Sequence, residues 1–277
     1  MAGSNPANGG RTLKFIALCR DSSRAAHHRR RRNVHRFIVR APLCEGALID
    51  FPAEEAAHAF KVLRLRAGED IEVSDGEGAL FAAELTEVSR EIVRARLTER
   101  LDSKEPPVSL TLYMGYPKAE KLELIVQKLT ELGANRVVPV VMARSVARPD
   151  AKDGAKKRER LERIALEAAK QCGRGRVPEI AAPMSWKQAL ADMAERSLML
   201  VPWEEARGTT LGTVREARPG ETNLGLLVGP EGGISAEEIE DAERAGAVPV
   251  TLGPRILRAE TAAIASSAVV MALWGDV

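Results

Sequence analysis

The sequence has little of what several functional classes require. It contains three cysteines and four histidines in 277 residues. The cysteines (Cys19, Cys44 and Cys172) are odd in number and follow no metal-ligand spacing, which argues against a disulfide-stapled secreted domain and favours a reducing, cytoplasmic environment. No apolar run approaches the roughly 20 residues that a membrane-spanning helix needs. These absences predict a globular protein with no metal site and no membrane partner.

The common nucleotide-binding motifs are also missing. No Lys-Ser or Lys-Thr pair follows a glycine-rich stretch, which excludes a P-loop, and no Gly-x-Gly-x-x-Gly with a downstream acid marks a dinucleotide site. The share of hydrophobic residues, 45%, and of charged residues, 29%, is ordinary for a globular protein. The length suits two domains, or one large one, with ample core.

Positive charge is concentrated at the N-terminus. Residues 1–33 hold eight basic residues and one acidic residue, a net +7, while the remainder holds 33 basic and 38 acidic residues, a net −5. Overall charge therefore does not indicate a nucleic-acid binder, and any RNA-binding surface must be a local patch.

The segment 1–33 shows no hydrophobic periodicity and is predicted to be disordered. Three explanations of it compete: a transit peptide, a basic arm that contacts RNA phosphates, or a misassigned start with translation beginning at Val34. The last is favoured, because the extension adds nothing that the predicted fold needs.

Two glycine-containing loops lie near the C-terminus. The apolar run from Leu224 to Val228 predicts a buried strand, and Gly-Pro-Glu-Gly-Gly breaks it. Ser235, with Glu238 three residues later, forms a capping box that begins a helix. A second strand, Val248 to Leu252, runs into the second loop, and a last helix from about Thr261 to Trp274 is apolar on nearly every face, which predicts that it is buried.

Both loops follow strands that we expect to lie side by side in one sheet. Ligands of open α/β sheets bind beyond the carboxyl ends of the strands, where backbone without side chains can approach them. One glycine loop alone would indicate only a turn. The pair, followed by Arg255, Arg258, Glu260 and Thr261 within seven positions, predicts a ligand site.

The sequence of the two loops resembles the SPOUT methyltransferases. The residues that carry the resemblance are Gly229-Pro230-Glu231-Gly232-Gly233 and Leu252-Gly253-x-Arg255-Ile256-Leu257-Arg258-x-Glu260-Thr261-Ala262. Within that class the chain looks like the enzymes that methylate N3 of a uridine in 16S ribosomal RNA. The resemblance covers about Arg36 to Trp274 and implies an α/β fold whose C-terminal domain has a mostly parallel sheet with a trefoil knot. It also implies S-adenosyl-L-methionine as cofactor, the small ribosomal subunit as partner, and a homodimer.

The resemblance places the cofactor on the two loops. The predicted cofactor-binding residues are Val228, Gly229, Pro230, Glu231, Gly232, Gly233, Leu252, Gly253, Ile256 and Leu257. Uracil N3 carries a proton at neutral pH, so catalysis needs a base or a cation that stabilises the developing anion. Arg258 is the candidate cation because its guanidinium stays charged and can contact two carbonyl oxygens. Glu260 either orients Arg258 or begins the last helix, and the sequence assigns no base.

Two domains are predicted. The linker Asp-Ser-Lys-Glu-Pro-Pro (102–107) separates a region of short strands around one helix, residues 34–103, from a strand-helix-strand region, residues 108–277. The resemblance implies that the first is a PUA-like RNA-binding β-barrel and the second the SPOUT domain. Predicted RNA-binding residues are Arg36, Lys61, Arg64, Arg66, Lys118, Lys121 and Arg174. The alternative for most of them is an ordinary solvated helix surface or helix end.

Two other functions remain open from the sequence. One is a SPOUT ribose 2′-O-methyltransferase, which the motif Arg-Ile-Leu-Arg-Ala-Glu-Thr-Ala disfavours because it replaces a Ser/Asn-rich final loop. The other is a non-catalytic RNA-binding assembly factor that has kept the knot for dimerisation.

Overall fold

The computed structural model describes residues 34–149 and 154–277. The predictions for residues 1–33 lie outside these ranges. Contacts within the chain separate Met1–Val34 from a second unit, His35–Val277, which holds both predicted domains. No helix in the described ranges is long and apolar enough to cross a membrane.

The first domain is a curled five-stranded sheet. Its strands are β1 (Arg36–Ile38), β2 (Leu48–Asp50), β3 (Asp70–Ser74), β4 (Leu80–Val88) and β5 (Val93–Leu101), in the order β1-β3-β4-β5-β2. Only the β1–β3 pair is parallel. Buried residues alternate along β4 and β5, which places Leu85 and Leu97 in a core with Phe37 and Ile71. Strand β2 was not predicted from the sequence.

The helix predicted from Pro52 to Leu65 has two parts. An α-helix, α1 (Ala53–Ala57), continues as a π-helix over His58–Leu63, and Arg64 ends it in the left-handed region with φ 55° and ψ 39°. Apolar spacing predicts a helix but does not distinguish the wider π-turn from an α-turn. The helix predicted for this domain is therefore present, and its second half is a π-helix.

The second domain is a parallel sheet flanked by helices. In chain order its elements are β6 (Ser109–Gly115), α2 (Ala119–Glu131), β7 (Arg136–Val141), α3 (Gly154–Cys172), β8 (Glu179–Ile180), β9 (Met184–Ser185), α4 (Trp186–Met193), β10 (Leu198–Pro202), α5 (Leu211–Ala217), β11 (Asn223–Val228), α6 (Ala236–Arg244), β12 (Ala247–Val250) and α7 (Ala259–Trp274). The strand order is β12-β10-β11-β6-β7-β8, with β9 paired to β7. Every pairing is parallel, as the strand-helix-strand pattern predicts.

The two strands that precede the glycine loops are not neighbours. Strand β10 lies between β11 and β12 and pairs with both. The expectation that they lie side by side was wrong, because strand order is set by long-range packing. Consequently a third loop, which begins at Pro202, reaches the same edge of the sheet.

Segment 174–177, directly after α3, joins the two domains. The Arg174 side chain is 3% exposed, pairs with Glu105 at 2.7 Å, and donates to the carbonyl oxygens of Thr130 and Ala134. Arg36 pairs with Glu72 and donates to the Arg174 carbonyl oxygen at 3.3 Å. Both guanidinium groups are thus engaged in the interior. Arg174 and Arg36 are interdomain structural residues, and we remove them from the predicted RNA-binding set.

A second interdomain contact is made by a basic residue of α3. The Lys170 ammonium group contacts the Glu55 carboxylate, which is 8% exposed. The pair links α3 to α1, so the basic residue is matched by an acid on the other domain.

Helix α7 is buried on one face only. Ala263, Val270, Met271 and Trp274 are buried against the sheet and α2. On the opposite side Val269 is 43% exposed. The predicted burial of this helix is therefore confirmed for the face that carries these four residues, and Val269 lies outside that face.

Candidate active site

Three loops converge at the carboxyl edge of the parallel sheet. A cavity of about 420 Å³ lies between them. Its lining comprises Lys121, Pro202, Glu204, Val228, Gly229, Pro230, Glu231, Gly232, Gly233, Ile234, Ile256, Leu257, Arg258, Ala259 and Ala262. A smaller cavity, of about 80 Å³, is lined by several of the same residues together with Trp203, Leu252, Gly253 and Arg255. All ten residues that the sequence predicted as cofactor-binding line one of these two adjoining cavities.

The glycines of the first loop are required by packing within the protein. A Cβ atom on Gly229 would lie 2.7 Å from Cγ1 of Ile234, and one on Gly232 would lie 2.9 Å from the carbonyl oxygen of Arg144. A Cβ on Gly115, at the end of β6, would lie 2.4 Å from Cδ of Pro230. The sequence predicted that these glycines admit a ligand. In the structure they also allow the loop to pack tightly against neighbouring residues of the protein.

Gly253 in the second loop is different. It has φ of +102°, a conformation that residues with a side chain rarely adopt, and a Cβ there would meet no atom within 4 Å. Its backbone therefore faces open space beside the smaller cavity. Ile256, predicted as apolar wall, borders both cavities but is 88% exposed.

Lys121 connects the two loops. Its Nζ lies 3.3 Å from Oε1 of Glu231 in the first loop and 3.1 Å from Oε2 of Glu260 near the start of α7. The side chains of Lys121, Glu231 and Glu260 are 27%, 24% and 16% exposed. One ammonium group therefore holds two carboxylates from segments about 30 residues apart, and the group of three carries a net charge of −1.

The three charged groups perturb one another. Hydrogen bonding to Glu260, with a contribution from Glu231, raises the pKa of Lys121. The pKa of Glu260 is lowered by its own backbone N–H at the start of α7 and by Lys121 and Arg258. Desolvation alone would raise the pKa of Glu231, but hydrogen bonds from its own backbone and from Lys121 outweigh it and lower the pKa. At neutral pH all three groups are charged.

The first loop is also held from the side of β7. Arg144 donates to the carbonyl oxygens of Gly232 and Ile234 at 3.3 and 3.4 Å. Glu238, 4% exposed, accepts from the backbone of Ala143 at 2.7 Å and completes the capping box predicted with Ser235. The loop is therefore fixed before any ligand arrives.

The structure separates the remaining predicted residues. Arg258 lines the larger cavity and is exposed, whereas Glu260 reaches the site through Lys121. Lys118 is exposed at the start of α2, and its backbone N–H lies 3.5 Å from the Glu231 carboxylate. Lys61, Arg64 and Arg66 are exposed on the first domain. Lys121, predicted to contact RNA, lies in the cavity wall.

Sequence reasoning missed the contribution of the third loop and of Arg144. Pro202 is the last residue of β10, Glu204 lies in the loop after it, and both line the two cavities. The signal that could have found them is that parallel strands end at one edge, so that every loop at that edge is a candidate.

A larger cavity lies elsewhere, between the domains. It measures about 850 Å³ and is bordered by Asn135, Arg136, Glu179 and the turn at Asp75 to Glu77. Two ion pairs lie in its wall, Arg136 with Glu179 at 3.2 Å and Arg176 with Glu77 at 3.9 Å. The glycine loops do not border it, and we do not assign it a ligand.

Two family models match the chain. One, described as an RNA methyltransferase domain, matches residues 104–271, and the other, described as an RNA methyltransferase PUA domain, matches residues 51–98. The two matches meet near the linker, on either side of which the structure has two different sheets.

Named relatives cover most of the chain. The chain is 34% identical to ribosomal RNA small subunit methyltransferase E of Bacillus subtilis, over 81% of this chain and 90% of that protein. It is 35% identical to the Mycobacterium tuberculosis protein of the same name, over 79% and 84%. Among solved structures, the Neisseria gonorrhoeae protein of that name, bound to S-adenosyl methionine, superposes with a TM-score of 0.79 at 31% identity, covering 88% of this chain and 99% of that one.

Proposed function

We propose that this chain, which belongs to the ribosomal RNA small subunit methyltransferase E family, methylates N3 of a uridine in 16S ribosomal RNA with S-adenosyl-L-methionine as the methyl donor. The observation that carries the proposal is the convergence of three loops on one cavity, with Arg258 and the Lys121-held carboxylates in or beside its wall. The named relatives and the cofactor-bound Neisseria structure support it.

The residues around the two cavities fit such a cofactor. The smaller cavity offers the apolar side chains of Leu252 and Leu257 and the open backbone at Gly253, which suit a flat aromatic ring. The larger cavity offers the carboxylates of Glu204 and Glu231, which suit hydroxyl and ammonium groups. When bound, the cofactor supplies an activated methyl group on a positively charged sulfur.

Arg258 has the position and chemistry to stabilise the uracil anion. It lines the larger cavity, is exposed to an entering base, and precedes α7 as its N-cap residue. Its guanidinium is permanently charged and can donate to two carbonyl oxygens at once. As N3 forms its bond to the methyl carbon, the N3 proton must leave. The carboxylates of Glu204 and Glu231 line the cavity and are candidate acceptors, and Lys121 holds Glu231 together with Glu260 beside the cavity.

The proposal includes a homodimer and a knotted second domain. The exposed apolar residues on α7 and α2, Val269 at 43% and Leu124 at 41%, lie on two helices that pack together. They would be covered by a second copy, and sedimentation analysis would measure this association. The knot is what the resemblance to the SPOUT methyltransferases implies.

Cofactor binding and catalysis can be tested separately with Arg258→Ala. Titration calorimetry with S-adenosylmethionine should show cofactor affinity near that of the parent, while single-turnover methylation falls by roughly a hundred- to a thousandfold. Loss of cofactor affinity in this variant would place Arg258 in the cofactor pocket instead. A parent protein that binds no cofactor, alone or with 16S ribosomal RNA, would favour the non-catalytic assembly factor.

A further inference from the structure

Residues 57–68 form a surface segment of the first domain in which every charged residue is basic, and this segment is here called the basic knuckle. It contains Lys61, Arg64 and Arg66 and no acidic residue. All three are exposed, and within the ranges that the structure describes none of their side chains makes an ion pair or a hydrogen bond. Three cations within six residues, without acidic partners in the described ranges, create a positive potential at which an anion can bind.

The basic knuckle also exposes apolar surface. Phe60 is 37% exposed and Val62 is 66% exposed, whereas Ala59 is fully buried and Leu65 is 8% exposed. The inner residues anchor the segment in the core of the first domain. Phe60 precedes the first of the three cations in the chain and lies outside the hydrophobic core, so core packing does not require an aromatic residue there.

The backbone of this segment departs from a regular α-helix. The exposed residues Phe60, Lys61 and Val62 follow the buried Ala59. They lie in the π-helix over His58–Leu63, which ends at Arg64 with φ of 55°. Arg64 is the only non-glycine residue with positive φ in the described part of the chain. Left-handed conformations of residues with side chains and single π-turns are both enriched at functional sites.

We propose that the basic knuckle binds an unpaired nucleotide of the RNA substrate, with the Phe60 ring stacked on the base and Lys61, Arg64 and Arg66 on the flanking phosphates. The inference rests on the proposed function, because it assumes an RNA substrate. Sequence-specific recognition of RNA uses unpaired bases, which stack on aromatic side chains while cations contact the backbone. The N-terminal 33 residues do not suit this surface, since they carry a net charge of +7.

Filter binding of a 16S ribosomal RNA transcript at several salt concentrations tests the proposal. Loss of a stacking ring costs about 1–3 kcal/mol, so Phe60→Ala should weaken RNA affinity by roughly 5- to 150-fold with an unchanged salt slope. Phe60→Trp should keep the affinity, because it keeps a stacking surface. Lys61→Ala should instead lower the salt slope by roughly 0.7 to 0.9. Circular dichroism and cofactor affinity should match the parent for every variant.

Equal RNA affinity of Phe60→Ala and the parent would overturn the inference and leave the methyltransferase assignment intact. A weakening that Phe60→Trp shares would also overturn it, because a stacking surface would then not be the determinant. If Phe60→Ala loses affinity for assembled subunits but not for naked RNA, the surface contacts a ribosomal protein and the inference is wrong. A parent protein that neither binds nor methylates the RNA would instead contradict the proposed function.

Discussion

Lys121, near the start of α2, and Glu260, in the first turn of α7, form an ion pair beside the larger cavity. Nζ of Lys121 lies 3.1 Å from Oε2 of Glu260, and the same ammonium group lies 3.3 Å from the Glu231 carboxylate. Without the lysine, two carboxylates on different loops would approach one cavity with no cation between them. We therefore assign to Lys121 the positioning of these carboxylates, and its contact with RNA stays a prediction.

Replacing Lys121 with methionine should lower kcat/KM by about tenfold or more, as expected when a coupling of about 1.4 kcal/mol is lost. The pKa of Glu231 and of Glu260 is held low partly by Lys121, so both should rise in the variant. The acid limb of the pH–rate profile should therefore move to higher pH. Lys128→Met is the matched control, because Lys128 lies on the same helix and pairs only with Glu131 on the surface. An unmoved acid limb would show that Lys121 acts through the fold alone.

Gly253→Ala should weaken S-adenosylmethionine binding while the protein stays folded. A side chain is strained at φ of +102°, so the loop must shift where it borders the smaller cavity. Gly246→Ala is the matched control, since Gly246 has φ of +89°, open space around it and no place in either cavity wall. Calorimetry should show a loss of affinity for the first variant only. Equal cofactor affinity in both would remove the second loop from the cofactor site.

Arg174→Met should destabilise the protein by about 3–5 kcal/mol, because it leaves the Glu105 carboxylate without its buried partner and removes two donors from backbone carbonyl groups. Urea unfolding measures this change. Arg176→Met, at a side chain that is 37% exposed, should change stability by less than about 1 kcal/mol. A fully stable Arg174→Met protein with weakened RNA binding would return Arg174 to the RNA-binding set.

The buried Tyr113 should make part of the stability depend on alkaline pH. Burial, together with the hydrogen bond that its hydroxyl donates to Asp192, raises the pKa of Tyr113 above its ordinary value of 10.0. Because the folded-state pKa is the higher one, the stabilisation is complete below pH 10 and is lost as the pH rises beyond it. The difference in unfolding free energy between the parent and Tyr113→Phe should therefore shrink above about pH 10. A difference that stays constant to pH 11.5 would show that Tyr113 titrates normally.

Local features of the sequence predicted much of the fold and of the cavity lining. The Ser235–Glu238 capping box, the break after Val228 and the amphipathic pattern of α2 depend on residues close in sequence, and the structure has all three. The position of β10 between β11 and β12 is a property of the whole sheet and could not be read from any one segment.

The burial of Arg174 likewise could not be predicted from the residues near it in the sequence. Its partner, Glu105, lies 69 residues earlier in the sequence, and nothing near Arg174 indicates that the two meet. Arg174 lies between two glycines and close to Arg176 in the sequence, and it was therefore predicted to contact RNA. The contacts of Lys121 could not be predicted for the same reason, since Glu231 and Glu260 lie more than 100 residues away in the sequence.

Nucleoside analysis of the methylated product tests the central claim most directly. The purified protein should be incubated with 16S ribosomal RNA, free or in the small subunit, and S-adenosylmethionine carrying a labelled methyl group, and the RNA digested and examined by mass spectrometry. We predict that the label appears in N3-methyluridine, and that Arg258→Ala forms roughly a hundred- to a thousandfold less of it. Label in a 2′-O-methylated nucleoside, or no label in any nucleoside from either substrate, would contradict the account.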